Sequence, residues 1–210
     1  MTMNLVDKIP NLAGHWRLDV FEGDVEREPL TRSQVADNAL AIDEQRRADE
    51  ALAAEFGRDP VGIYLPIHVG RLRRRCQPYK VIEGENLVTT AGKGLLLDRL
   101  FAMGTPPTQI NSMGVGNSAT AAVVGDTQLL GATPSPTLLA FDALPTRASL
   151  VVTAIRTFAT GEGNMTWNEL GMFNGTTNGT SILLNRISPI GPFGKTSATS
   201  IVCTVTLTQA

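Results

Sequence analysis

Residues 201–208, Ile-Val-Cys-Thr-Val-Thr-Leu-Thr, alternate without a break. Ile201, Cys203, Val205 and Leu207 fall on one parity, and Val202, Thr204, Thr206 and Thr208 on the other. Successive side chains of a strand point to opposite faces. The stretch therefore predicts a strand with one face in a core and the other covered mostly by hydroxyls. Working back along the chain, short segments rich in Val, Thr and Leu recur with turns between them. Ile110 to Gly116, Arg147 to Phe158, Met165 to Phe173 and Ser181 to Ile187 read as strands. Arg147 to Phe158 carries apolar residues on both parities, so both its faces are expected to be covered. Thr133-Pro-Ser-Pro136, Gly161-Glu-Gly-Asn164, Asn174-Gly175 and the Pro189 to Gly194 stretch supply the turns. The pattern predicts a mainly β chain, an antiparallel, jelly-roll-like β-sandwich. Trp167, Phe173, Val205 and Leu207 are its expected core anchors, with Trp167 and Phe173 on one face.

The chain has 210 residues, is 42% hydrophobic and 18% charged, and carries a formal net charge of −2. That balance fits a globular protein and argues against a general nucleic-acid binder or an acidic disordered tail. No run approaches the roughly 20 apolar residues of a membrane span. The opening MTMNLVDKIPNL has no apolar core of a secretory signal. The charge is unevenly spread: 27 of the 38 Asp, Glu, Lys and Arg lie in residues 1–85 and 11 in residues 86–210. This shift predicts an N-terminal arm over 1–85 and a β-sandwich assembly domain over 86–210. Within the arm, Trp16, Leu18 and Val20 alternate as a short strand. Thr31-Arg-Ser-Gln34 has the spacing of a capping box. From there to Phe56 no Pro or Gly interrupts a run of strong helix formers, so a helix is expected over about 32–56, closed by Gly57. Val35, Ala39, Ile42, Leu52 and Phe56 give it a thin apolar stripe, suited to one narrow contact. Val61 to Val69, interrupted by Pro66, reads as an edge strand or extended arm. A second helix, capped by Thr90 and weakened by Gly92 and Gly94, carries Leu95, Leu96, Leu97, Leu100 and Phe101.

Candidate chemistry is sparse. His15 and His68 are the only histidines, and neither stands at ligand spacing from a Cys, Asp or Glu cluster, so no metal site is expected. Gly92-Lys-Gly94 lacks the eight-residue phosphate-loop pattern. A G-x-S-x-G nucleophile elbow is missing. Cys76 and Cys203 match no redox or metal spacing. Glu162 and Glu169 are the two carboxylates from which a glycosidase pair could be built. Against that, Glu169 stands inside a strand beside Leu170, and a buried carboxylate needs a partner. Arg186 or Lys195 would supply it, giving a structural ion pair of Glu169 with these residues. Trp16, Trp167, Phe173 and Phe193 read as buried anchors more readily than as a carbohydrate-stacking platform. Asn174-Gly-Thr and Asn178-Gly-Thr match glycosylation sequons, and read better as turn chemistry. Arg71, Arg73, Arg74 and Arg75 form the one strong basic cluster. Two readings stand for it, contact with an acidic partner surface or phosphate, and a solvated face. No catalytic residue, cofactor site or metal site is expected.

The order of motifs carries a resemblance. Asn86-Leu-Val-Thr-Thr-Ala-Gly-Lys precedes a Leu-rich helix. Met113-Gly-Val-Gly-Asn-Ser and Gly125-Asp-Thr-Gln-Leu follow, then Trp167-Asn-Glu-Leu-Gly-Met-Phe, Leu183-Leu-Asn-Arg and Lys195 before the terminal strand. Over residues 86–210 this resembles a group of tailed-bacteriophage virion structural proteins. Their pattern runs N-L-V-x-N-x-G, G-x-G, T-x-L, E-x-G-x-F and a closing Lys; here Thr90 stands where Asn is usual. The resemblance implies a structural role with no catalytic residues: a capsid decoration (cement) subunit, or alternatively a tail, collar or fibre-anchor protein. It implies a homo-oligomer, with a trimer favoured, in contact with the major capsid protein or other virion subunits. The location it implies is the virion, assembled in the host cytoplasm, with no membrane and no specific nucleic acid. A carbohydrate-binding module is the reading from a different class.

Overall fold

The alternation that opens the sequence reading lies at the centre of the fold. The computed structural model describes residues 12–25, 29–56, 68–70, 77–100 and 109–209. The expected arm around 61–67, the cluster Arg71, Arg73, Arg74 and Arg75, and Cys76, Gly57 and Phe101 lie outside the described residues. In chain order the elements are β1 (Leu12–Glu22), α1 (Arg32–Phe56), β2 (Lys80–Val88), α2 (Thr90–Leu100), β3 (Ser112–Gly116), β4 (Thr137–Ala140) and β5 (Thr146–Ala148). They continue with β6 (Val151–Phe158), β7 (Thr166–Trp167), β8 (Glu169–Phe173), β9 (Leu183–Ile187), β10 (Phe193–Gly194) and β11 (Thr199–Gln209). Nine strands form one sheet in the order β4-β3-β8-β9-β2-β1-β11-β6-β5, and β10 pairs with β7 in a second, two-stranded sheet. Every pairing is antiparallel.

The nine-stranded sheet is two limbs joined through β2. Residues 80–86 of β2 pair with β1, whereas Leu87 and Val88 pair with β9. One core is lined from both limbs: Trp16, Leu18 and Val20 of β1 and Ile201, Cys203 and Val205 of β11 meet Met113, Leu170 and Ile187 of the other limb. The chain is thus mainly β, an antiparallel sandwich with a long helix near its N-terminus, as the alternation predicts. The parity of β11 is as expected: Ile201, Cys203 and Val205 are buried, Leu207 is half-buried at the margin of the core, and Thr204 and Thr206 lie on the other face.

Three expectations need correction. First, the division at 85/86 does not follow the sheet. The boundary falls inside β2, and β1, assigned to the arm, sits between β2 and β11 with Leu12 opposite Gln209 and Glu22 opposite Thr199. Charge density misled because Arg17, Asp19 and Glu83 lie on the outer face, where they pair with one another, while Trp16, Leu18 and Val20 between them are buried. Secondly, the expected strand from Arg147 to Phe158 is a hairpin. Ser149 takes a left-handed φ of 54°, and β5 folds back on β6 with Ala148 opposite Val151. No Gly or Asn marks this turn, so no local signal announces it. Thirdly, Trp167 and Phe173 are both fully buried yet do not share a face. The chain changes sheets at Asn168, whose N–H donates to the Gly116 carbonyl, and Trp167 joins the main core while Phe173 packs with Leu129, Leu138 and Leu183.

The helices follow their caps. At the start of α1 the Thr31 hydroxyl accepts from the Gln34 N–H at 3.3 Å, and the Gln34 side chain accepts from the Thr31 N–H at 2.9 Å, the reciprocal bonds of a capping box. Its apolar stripe does not all turn inward: Val35 is 53% exposed and Ala39 is exposed as well, while Ile42 is half-buried. Asn38 is the buried contact, bonding the backbone of His68 through both ends of its amide at 2.7 and 3.1 Å. For α2 the cap is Thr89 rather than Thr90, its hydroxyl accepting the Gly92 N–H at 3.0 Å. Gly92 is required there by close approach, since a Cβ would stand 2.1 Å from the Leu184 carbonyl oxygen. That carbonyl belongs to the residue skipped by a register shift between β8 and β9, and it accepts the Thr89 N–H at 3.0 Å.

Candidate functional site

Glu169 opens β8 and Arg186 lies on the adjacent β9, each fully buried. The ladder that pairs Gly171 with Arg186 and Leu170 with Ile187 brings them side by side. The Arg186 Nε and Nη2 donate to Glu169 Oε2 at 3.0 and 2.9 Å. Arg186 Nη1 donates to Asp126 Oδ2 at 2.8 Å. The remaining guanidinium hydrogens go to backbone carbonyls, those of Thr120 at 3.0 Å and Ala121 at 3.4 Å. Glu169 is equally well occupied, accepting the N–H groups of Gly131 at 2.7 Å, Leu130 at 3.0 Å and Ser118 at 3.4 Å. Asp126 accepts the Val123 N–H at 2.9 Å. Buried charges persist when they are paired and their remaining hydrogen-bonding capacity is filled, and both conditions are met here.

The network has a definite mechanical result. Its backbone partners all come from residues 118–131, so three charged side chains fix the course of that loop over the sheet. Gly116 leaves the space for it, because a Cβ there would meet Glu169 Oε1 at 2.4 Å. Leu129, 1% exposed, plugs the small cluster around Phe173. Asn178 clamps the same residue, its amide donating to the Leu129 carbonyl and accepting the Leu129 N–H, both at 3.1 Å. Asn174 is buried and accepts the Ile182 N–H at 2.6 Å. Asn174 thus serves its own loop, as its Asn-Gly context predicts, whereas Asn178 braces a loop distant in sequence.

The expected pairing of Glu169 with Arg186 is present. Asp126 completes it, and its role as a charge partner has no local signal, since it stands among polar and small residues between β3 and β4. Lys195 does not belong to the network. Its N–H donates to the Met165 carbonyl, extending the β7–β10 ladder, and its Nζ donates to the Ala159 carbonyl at 2.8 Å and Asn164 Oδ1 at 2.9 Å. Burial pushes this amine below its ordinary value, against the opposing charges of Glu162 and Asp24. Glu162 pairs with Arg156 at 2.6 Å, so the two carboxylates considered for a glycosidase pair are bound into separate cation contacts. Trp16, Trp167, Phe173 and Phe193 are all buried, at 3, 0, 0 and 6% exposure, so none offers a ring face to a sugar. Trp167 instead meets Phe158 edge to face at 4.9 Å and donates its indole N–H to the Gly163 carbonyl at 2.7 Å. Cys203 is a free, fully buried thiol whose ionisation burial pushes far up.

The loop braced by these charges carries apolar side chains outward. Val123 is 55% exposed and Val124 49%, and Ala122 shares a shallow cavity with Leu87, itself 40% exposed. The Val124 carbonyl accepts the Thr90 N–H at 2.8 Å, tying this tip to the start of α2. Among the described residues no helix is long and apolar enough to cross a membrane. Comparison with protein-family models, with curated proteins and with solved structures finds no match to this chain.

Proposed function

We propose that this chain is a non-enzymatic virion structural protein, a capsid decoration subunit that bridges and stabilises neighbouring shell subunits. One observation carries the reading. Gly116, Asp126, Glu169 and Arg186 come from four separate segments of the resembling pattern, and they meet in one buried network that shapes a surface loop. The pattern encodes the rigidity of a scaffold, which is what a subunit bracing a lattice needs. The apolar tip of that loop supports the same reading, since charges are depleted and apolar groups enriched at the centres of subunit contacts. The exposed Val35 and Ala39, four residues apart on α1, fit a contact with a neighbour along one narrow face. The partners on this reading are the major capsid protein or other virion subunits, with the chain itself a symmetric oligomer, a trimer in the first instance.

The test is where the chain sits and how often. Particles of the virus that encodes it are purified and the copy number is measured against the major capsid protein. A comparable number supports a decoration subunit. A few to a dozen copies per particle moves the assignment to the tail, collar or fibre anchor, and absence from the particle overturns the reading.

A further inference from the structure

β2 has a strand on both sides only at its end. Residues 80–86 pair with β1, and Leu87 and Val88 alone pair with β9. Past Ile187 the chain leaves the sheet at Ser188 and Pro189. Among the described residues no strand meets the other edge of 80–86. In an antiparallel pair every second residue turns its N–H and C=O away from the partner strand. The run therefore offers a row of backbone donors and acceptors to a further strand, as the outermost strand of a sheet does, although β2 lies in the middle of this one. At the apex of the fork a cavity of about 300 Å³ opens beside this edge, lined by Glu85, Asn86, Leu87, Ala122, Ile187 and Pro189.

The side chains along the edge state what an added strand must carry. Ile82, Gly84 and Asn86 are half-buried, whereas Val81, Glu83, Glu85 and Leu87 are exposed. Glu83 shares Arg17 with Asp19, and Glu85 has no ion pair among the described residues. Opposite charges placed across a strand pair stabilise it, so the matching strand carries cations two residues apart. The chain supplies one: in an extended Arg71-Leu-Arg-Arg-Arg75, Arg71, Arg73 and Arg75 fall on one face. A copy's own run is badly joined for its own β2. Tyr79 continues the pairing with β1, its N–H donating to the Val20 carbonyl at 2.9 Å, so only Cys76, Gln77 and Pro78 remain to reverse the chain. Three-residue reversals end on a left-handed residue, and the proline ring forbids that φ. We infer that the open edge of β2 takes the Arg71 to Arg75 run of a second copy of this chain as an added strand, with its arginines against Glu83 and Glu85. The contact is head-to-tail, the edge of one copy holding the run of the next, and such contacts close into a ring or run on as a filament. The inference concerns self-association alone, so it stands or falls independently of the virion role.

The test is the mass of the full chain in solution by light scattering, with charge exchanged between edge and run. The wild type is expected at a multiple of the single-chain mass. Glu83→Arg with Glu85→Arg makes edge and run both basic, and Arg71→Glu, Arg73→Glu with Arg75→Glu makes both acidic. Each variant alone is expected at the mass of one chain. An equimolar mixture of the two restores association, because each then meets the opposite charge on the other, and so does one chain carrying all five changes. Amide hydrogen exchange over residues 80–86 is expected to be slower in the associated wild type than in either variant. A monomeric wild type overturns the inference. So does a variant that associates alone, a mixture that stays monomeric, or an association that leaves exchange over 80–86 unchanged. Circular dichroism checks the fold of each variant, and Glu85→Arg alone replaces the first should a second arginine beside Arg17 disturb it.

Discussion

Glu169 gives up its water shell entirely, and what replaces it is three backbone N–H groups and one guanidinium. Deleting the carboxylate leaves Arg186 buried with Asp126 as its only charged partner and strands the N–H groups of Leu130 and Gly131. Glu169→Ala is therefore expected to lose about 3–5 kcal/mol of stability in a denaturant titration. A loss below about 1 kcal/mol would mean that water fills the site and that the network does not set the course of the loop. The pair itself was legible in the sequence, because a carboxylate inside an apolar strand run demands a cation and Arg186 is the one that the adjoining strand offers. The third member was not, since Asp126 stands in a loop whose polarity needs no explanation. Lys195 was given the wrong neighbours for a related reason. Spacing places it near the end of β10 but not on which side of Asn168 that end falls, and Asn168 is where the chain passes from one sheet to the other.

At the scale of elements, the capping box of α1 and the alternation of β11 are legible because each is local, whereas the cap of α2 falls one residue before Thr90, at Thr89. Thr31 and Gln34 bond each other as their spacing requires, and β11 keeps its parity from Ile201 to Val205. What escaped was non-local. The β5–β6 turn rests on Ser149, and the bulge opposite Phe173 is visible only once β9 is aligned with β8. The two glycines of α2 show the difference well. Both look like defects in a helix, yet only one is free. Gly92→Ala drives a methyl group into the Leu184 carbonyl and should cost about 1–3 kcal/mol or more, by overpacking against backbone that cannot yield. Gly94 has nothing within 4 Å of an added Cβ, so Gly94→Ala should stabilise by about 0.5–1 kcal/mol through helix propensity. Thermal melts of the two variants check this; equal shifts would mean that α2 does not rest on β9.

For the molecule as a whole, composition suggested two parts where pairing makes one sheet. The charge-rich part contributes β1 and most of β2, and the inner face of β1 is as apolar as any other, with Trp16, Leu18 and Val20 nearly free of solvent. A fragment of residues 86–210 is thus expected not to fold: it lacks the core side chains Trp16, Leu18, Val20 and Phe21 and leaves β11 unpaired along its whole β1 edge. Circular dichroism and a denaturant titration of that fragment check it, and a cooperative transition matching that of the full chain would restore the two-part division. The pairing of Leu12 with Gln209 also imposes an order in time. During synthesis β1 leaves the ribosome long before its partner β11 exists, so one edge of an apolar strand stays open while the residues between them are being made. Closure joins residues far apart in sequence, Leu12 with Gln209, a slow kind of contact to find. The Thr-rich outer face of β11 and the paired charges outside β1 and β2 keep those strands soluble through the wait.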